Sequence, residues 1–184
     1  MSTIRRIGGL KGIYQSKYPP AFNSTYVKAT SIRAGYNAEY VCDPSKSLIG
    51  NSGLGNEWCT NLYVITNQRF HIDLGVPTVI NRIYYENFHH SGESTVVGAK
   101  NFTFQGSNGA AAFAELTYAT NTNWTDITTS PTVFDQHSAA NSPDPKYITV
   151  INSLPYRYYA IKIADNYGDA GYLAIRRIEL QVMV

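Results

Sequence analysis

Two short runs concentrate groups that can do chemistry. Asn87-Phe-His-His-Ser-Gly-Glu93 sets an amide, an aromatic ring and two imidazoles side by side. Asp165-Asn-Tyr-Gly-Asp169 sets two carboxylates, an amide and a phenol within five positions. Planar amides, carboxylates and imidazoles suit the fixed hydroxyl directions of a sugar, and an aromatic face suits its C–H side. On that reading Phe88 or Tyr167 stacks, and Asn87, His89, His90, Asp165, Asn166 and Asp169 hydrogen-bond. A plainer reading stands beside it. Asn166 and Asp169 flank Gly168 as a turn requires, and His89 and His90 read equally as two exposed loop histidines. Catalysis is disfavoured. No Gly-x-Ser-x-Gly, HExxH or P-loop pattern occurs. Asp165 and Asp169 share one loop, whereas a glycosidase needs carboxylates across a cleft. The expected chain is a binder and not an enzyme.

Strands must position these loops. Residues 62–66 are β-rich, and Asn67 breaks the run. The run Arg69-Phe-His-Ile-Asp-Leu-Gly75 alternates, so Phe70, Ile72 and Leu74 are expected inward and Arg69, His71 and Asp73 outward, His71 as a surface residue. Further strands are expected at 79–85, 100–105, 147–151, 158–163 and 173–182, with Val133 and Phe134 in another. Residues 110–116 form the only helical signal, about two turns long and too short to be a core helix. Many short strands between turn signals imply an all-β sandwich or barrel. The strand at 79–85 feeds the first polar loop and the strand at 158–163 feeds the second.

Composition agrees. Of 184 residues, 15% are charged and 13% aromatic, with 15 tyrosines. Enough apolar surface exists to offset chain entropy, which excludes disorder, and the charge content excludes a coiled coil. No apolar run is long enough for a membrane-spanning helix. Residues 1–10 lack the apolar core of a secretory signal. The net charge of +2 hides an asymmetry. Residues 1–38 carry Arg5, Arg6, Lys11, Lys17, Lys28 and Arg33 and no acid, so residues 39–184 sum to a mildly acidic body. Two domains are therefore expected: a basic N-terminal arm at 1–38 and a β-sandwich at 39–184. The arm is either a solvated tail or a segment that docks on an acidic partner, another protein subunit rather than nucleic acid. Cys42 and Cys59 are too few for a disulfide framework and read as buried free thiols, with pairing as the alternative.

The order of segments resembles the discoidin, or coagulation factor V/VIII type C, family. The resemblance covers residues 57–182. It rests on Trp58, on the Ile-Asp-Leu-Gly strand ending at Gly75 and on the strand at 80–85. It rests also on Phe102-Thr-Phe-Gln-Gly-Ser-Asn108, on Trp124 with Thr125, on Tyr156-Arg-Tyr-Tyr-Ala-Ile-Lys-Ile163, and on Ile175-Arg-Arg-Ile-Glu-Leu180. It implies an all-β, galactose-binding-like jelly-roll sandwich whose ligand loops gather at one end, here 51–61, 87–93 and 165–169. Trp58 reads as core. The family's structural calcium would carry over only to Asp43 and Glu179, and Glu179 reads equally as a strand carboxylate paired with arginine. The sequence departs from the family before Trp58 and by an insertion at 109–123. The implied function is a non-catalytic carbohydrate-binding module. A phage or viral surface reconciles an outward-facing fold with the absence of a signal sequence, the basic arm anchoring the module in an oligomer or assembly. The alternative is a structural virion subunit that uses the jelly roll as a scaffold and binds no sugar.

Overall fold

A computed structural model describes residues 12–50 and 55–184. Among the described residues the chain forms ten strands, all paired antiparallel. They are β1 Tyr14–Lys17, β2 Val27–Ala29, β3 Trp58–Cys59, β4 Gln68–Thr78, β5 Arg82–Asn87, β6 Phe102–Ser107, β7 Thr125–Ser130, β8 Lys146–Ile151, β9 Tyr156–Ile163 and β10 Ala174–Met183. One layer runs β1-β10-β5-β8, with β3 on the start of β10; the other runs β2-β4-β9-β6. β7 joins them. Its first half pairs β6 through Phe104↔Ile127, and its second half pairs β8 through Thr128↔Ile151. The result is one curled sheet closed along that side.

The period-two pattern explains the core. Phe70, Ile72 and Leu74 of β4 face Ile161 and Tyr159 of β9 and the inward residues of the other layer, Ile83, Tyr85, Ile148, Ile178 and Leu180. Trp58 is fully buried, with its indole N–H donating to the Ser31 carbonyl at 2.8 Å. Each such large side chain contributes about 1.5–3 kcal/mol of apolar burial. Cys42 and Cys59 are free and buried.

Three expectations change. First, the outward residues of β4 do not reach solvent. The insertion at 109–123, with helix α1 Ala110–Ala114, lies over that face, and Ala112, Phe113, Trp124, Tyr158 and Ala160 form a second apolar cluster. His71 is fully buried there; its Nδ1 is 3.0 Å from the Phe113 carbonyl and its Nε2 is 3.3 Å from the Arg69 guanidinium. Arg69, also fully buried, donates to the carbonyls of Thr117 and Thr120 and to Asn121 Oδ1. Asp73 holds Arg157 in a two-point pair at 2.8 and 2.9 Å. Alternation reports the side of the sheet, not whether another segment covers it.

Second, residues 62–66 form an exposed loop and no strand. Tyr63 and Asn67 adopt left-handed backbone, φ 65° and 57°, which strands do not tolerate. Third, the described part of the 1–38 segment belongs to the sandwich. β1 pairs β10 from Tyr14↔Met183 to Lys17↔Leu180, and β2 pairs β4 at Val27↔Ile72. Among the described residues the sandwich thus already includes Tyr14–Lys17 and Val27–Ala29, ahead of the boundary expected at residue 38. The rest of the expected arm, residues 1–11, lies outside the described residues.

Candidate functional site

A cleft of about 230 Å³ opens at the end of the sandwich where β2, β5 and β9 finish and β10 begins. Its floor is Phe88 with Cys59 and Val97, and Tyr36 and Tyr172 pack against that floor. Three local devices build the walls. Arg33 and Tyr36 flank a tight turn closed by the Tyr36 N–H on the Arg33 carbonyl at 2.9 Å, with Gly35 at φ 85°. The turn sets the Arg33 guanidinium 4.9 Å from the Tyr36 ring centre, and the same group lies 4.7 Å from the ring of Tyr172. On the opposite loop, Asp169 Oδ1 accepts the backbone N–H groups of Gly171 and Tyr172, both at 2.7 Å. Asn166 accepts from Gly168 N–H and donates to the carbonyls of Asp169 and Tyr172, so that loop holds its own shape. The third wall is His90, whose backbone pairs with Glu93 across a turn carrying Ser91 at φ 51° and Gly92 at φ 89°. Ser94 completes the rim, and Glu57, 3.5 Å from the Arg176 guanidinium, closes the back.

The electrostatics follow from burial. Arg33 has no carboxylate partner among the described residues, and it presents its fork of donors between two tyrosine rings. Burial pushes the Cys59 thiol up to about 12, with Glu57 adding to the rise and Arg33 opposing it. Behind the cleft, His89 stacks on His137 with ring centres 4.0 Å apart. His89 accepts the Gly92 N–H at Nδ1 and donates from Nε2 to the Leu48 carbonyl, which defines its neutral form. Burial lowers both imidazoles, His137 to about 4.

Of the eight residues singled out in the sequence, the cleft brings together Phe88, His90 and Asp169. The other five hold the loops. Asn87 donates to the Ala99 and Asp135 carbonyls and accepts from Phe88 N–H. His89 is buried against His137, and Asp165 is bound by Asn101 at 2.8–3.0 Å. Asn166 does turn chemistry, and the Tyr167 hydroxyl donates to the Phe134 carbonyl at 2.5 Å. Phe88 is 6% exposed and forms the floor, so a ligand meets little of its face. Asp43 and Glu179 are also engaged. Glu179 accepts from Ser16 at 2.5 Å and pairs with Arg177 at 3.3 Å, while Asp43 Oδ1 accepts from the Ser45 N–H and hydroxyl. Calcium needs six to eight oxygens, and no cluster of three or more ligating side chains forms among the described residues; those two carboxylates do not by themselves fit the ion. Sequence reasoning missed Arg33, Tyr36 and Tyr172. The Arg33-Ala-Gly-Tyr36 turn was assigned to the arm, and Tyr172 stands three residues past the expected loop.

No family model and no curated protein matches the chain. Solved structures do. A structure of the Streptococcus pneumoniae β-galactosidase BgaA superposes with a TM-score of 0.66 at 11% identity, covering 92% of this chain and 98% of that one. The chitosan-binding module 1 derived from a chitosanase/glucanase of Paenibacillus sp. IK-5 gives 0.55 at 21%, covering 85% and 92%. The family 32 carbohydrate-binding module of C. perfringens NanJ, solved with galactose, gives 0.52 at 14%, covering 85% and 92%. The chain has the galactose-binding-like fold. The jelly-roll expectation holds; of the three expected loops, 51–61 gives Glu57 and Cys59 to the cleft, 87–93 gives Phe88 and His90, and 165–169 gives Asp169.

Proposed function

We propose that the chain is a non-catalytic carbohydrate-binding module and that the cleft is its sugar site. One observation carries this. An aromatic wall of Tyr36 and Tyr172, a fixed guanidinium and the polar groups of His90, Ser94 and Asp169 converge on one opening. The rings offer apolar faces to sugar C–H groups, Arg33 donates a fork to two adjacent hydroxyls, and Asp169 accepts from a third. At about 230 Å³ the cleft is smaller than the about 300–1,000 Å³ of sites for drug-sized ligands, which suits one sugar ring. The fold is shared with modules solved with galactose and named for chitosan, which favours the reading. The reading is non-catalytic because Glu57 lies against Arg176 and Asp169 Oδ1 is occupied by two backbone N–H groups.

The proposal extends to place. The module faces outward on a particle such as a phage or virus, held through its basic N-terminal residues, with Arg5, Arg6 and Lys11 ahead of the described residues. Size and mass of the particle that purifies with it test this extension.

A glycan array, run with calcium and again with chelator, tests the sugar site. Arg33→Ala and Tyr172→Ala should each weaken the best hit by about 1–3 kcal/mol. Wild-type protein that binds no glycan in either condition returns the chain to a purely structural scaffold.

A further inference from the structure

The loop at 60–64 carries a residue that its local structure does not explain. Tyr63 is 77% exposed, the most exposed large hydrophobic side chain among the described residues. Its backbone is left-handed at φ 65°, a conformation that costs a bulky residue strain and that glycine or asparagine would adopt more easily. Its ring makes no ring contact and its hydroxyl no hydrogen bond among the described residues. A solvated aromatic ring buries little surface on folding, and backbone outliers of this kind cluster where ligands bind.

Its position is fixed against the cleft. Thr60 and Leu173 exchange hydrogen bonds, Thr60 N–H to the Leu173 carbonyl at 2.9 Å and Leu173 N–H to Thr60 Oγ1 at 3.0 Å. The Tyr63 N–H donates to the Gly171 carbonyl at 2.7 Å, and the Val64 N–H closes the turn on Asn61 at 3.1 Å. Gly171 precedes Tyr172 of the cleft wall. A Cβ on Gly171 would stand 3.3 Å from Asp169 Oδ1 and 3.6 Å from Leu62 Cδ1, so the cleft and the loop meet at that glycine. Leu62, 50% exposed, continues the apolar surface outward.

We infer that Tyr63 and Leu62 form a second subsite beside the cleft, and that the ligand is an oligosaccharide whose neighbouring ring stacks on Tyr63. This rests on the sugar reading of the cleft. The cleft takes one ring, so the next ring of a chain leaves over the Gly171 side, where an aromatic side chain stands free on a backbone tied to Gly171. A tyrosine there adds contact area with few rotamers to freeze.

The test compares galactose with β-1,4-galactotetraose, and glucosamine with chitotetraose, by calorimetric titration of wild type, Tyr63→Gly and Tyr63→Phe. Glycine suits φ 65°, so the fold is retained. In at least one series the tetrasaccharide should bind wild type about tenfold tighter than its monosaccharide. Tyr63→Gly should remove that gain and leave the monosaccharide constant within about twofold, and Tyr63→Phe should keep the gain. A gain that survives Tyr63→Gly, or monosaccharide binding with no gain in either series, overturns the subsite while the sugar reading of the cleft stands. No binding in either series overturns the subsite, and the glycan array then decides the cleft separately.

Discussion

Acid should loosen the protein through His71, and the amount follows from its surroundings. The imidazole is fully buried, donates from Nδ1 to the Phe113 carbonyl and accepts at Nε2 from Arg69. Burial lowers it from 6.5 to about 4; the nearby cations Arg69 and Lys28 add to the fall, while the Phe113 hydrogen bond and Glu115 oppose it. Between those values the unfolded chain binds a proton that the fold refuses. Stability from this group is therefore fully present above about pH 6.5 and is lost as pH falls toward 4. At one pH unit for every 1.36 kcal/mol, the loss between about pH 7 and about pH 5 is about 2 kcal/mol. His71→Gln keeps a donor toward Phe113 and an acceptor toward Arg69 but does not titrate. Urea melts of both proteins at about pH 7, 6 and 5 should show wild type losing about 2 kcal/mol more than the variant. Parallel loss in the two would refute the buried, neutral imidazole, because every other titrating group, His89 and His137 included, is common to both.

Other perturbations probe the scaffold. Arg69→Met should free the 109–123 insertion, since the Thr117 and Thr120 carbonyls and Asn121 Oδ1 each lose one donor; stability should fall by about 2–4 kcal/mol, and chymotrypsin should cut after Tyr118 faster than in wild type. Gly106→Ala drives a Cβ into Cδ2 of the buried Tyr156 ring, so the melt midpoint should drop by the equivalent of about 1–3 kcal/mol. An unchanged midpoint would mean that the ring swings away at no cost.

The sandwich was legible because its core strands alternate cleanly; β4, β9 and β10 are found where Phe70, Ile161 and Ile178 demand them. β1 and β2 were missed. They are four and three residues long, and their neighbours in sequence carry no period. The β-rich run at 62–66 failed for the opposite reason, because two left-handed residues override propensity. At the candidate site, the runs 87–93 and 165–169 each contribute to the cleft, through Phe88 and His90 and through Asp169. Which of them face a ligand depends on contacts made across the chain. Asn87 serves the Ala99 and Asp135 carbonyls and Tyr167 the Phe134 carbonyl, partners that no local pattern announces. Arg33 was hidden by its charge, which read as part of a tail.

The pairing of β1 with β10 sets two described ends of the sandwich side by side. β10 leaves the cleft at Ala174 and runs ten residues, about 30 Å, to Met183, where Tyr14 lies beside it. Tyr14 and Met183 therefore share the pole opposite the cleft. A support attached at Tyr14 or Met183 would therefore leave the cleft clear, as a bracket leaves its lamp clear.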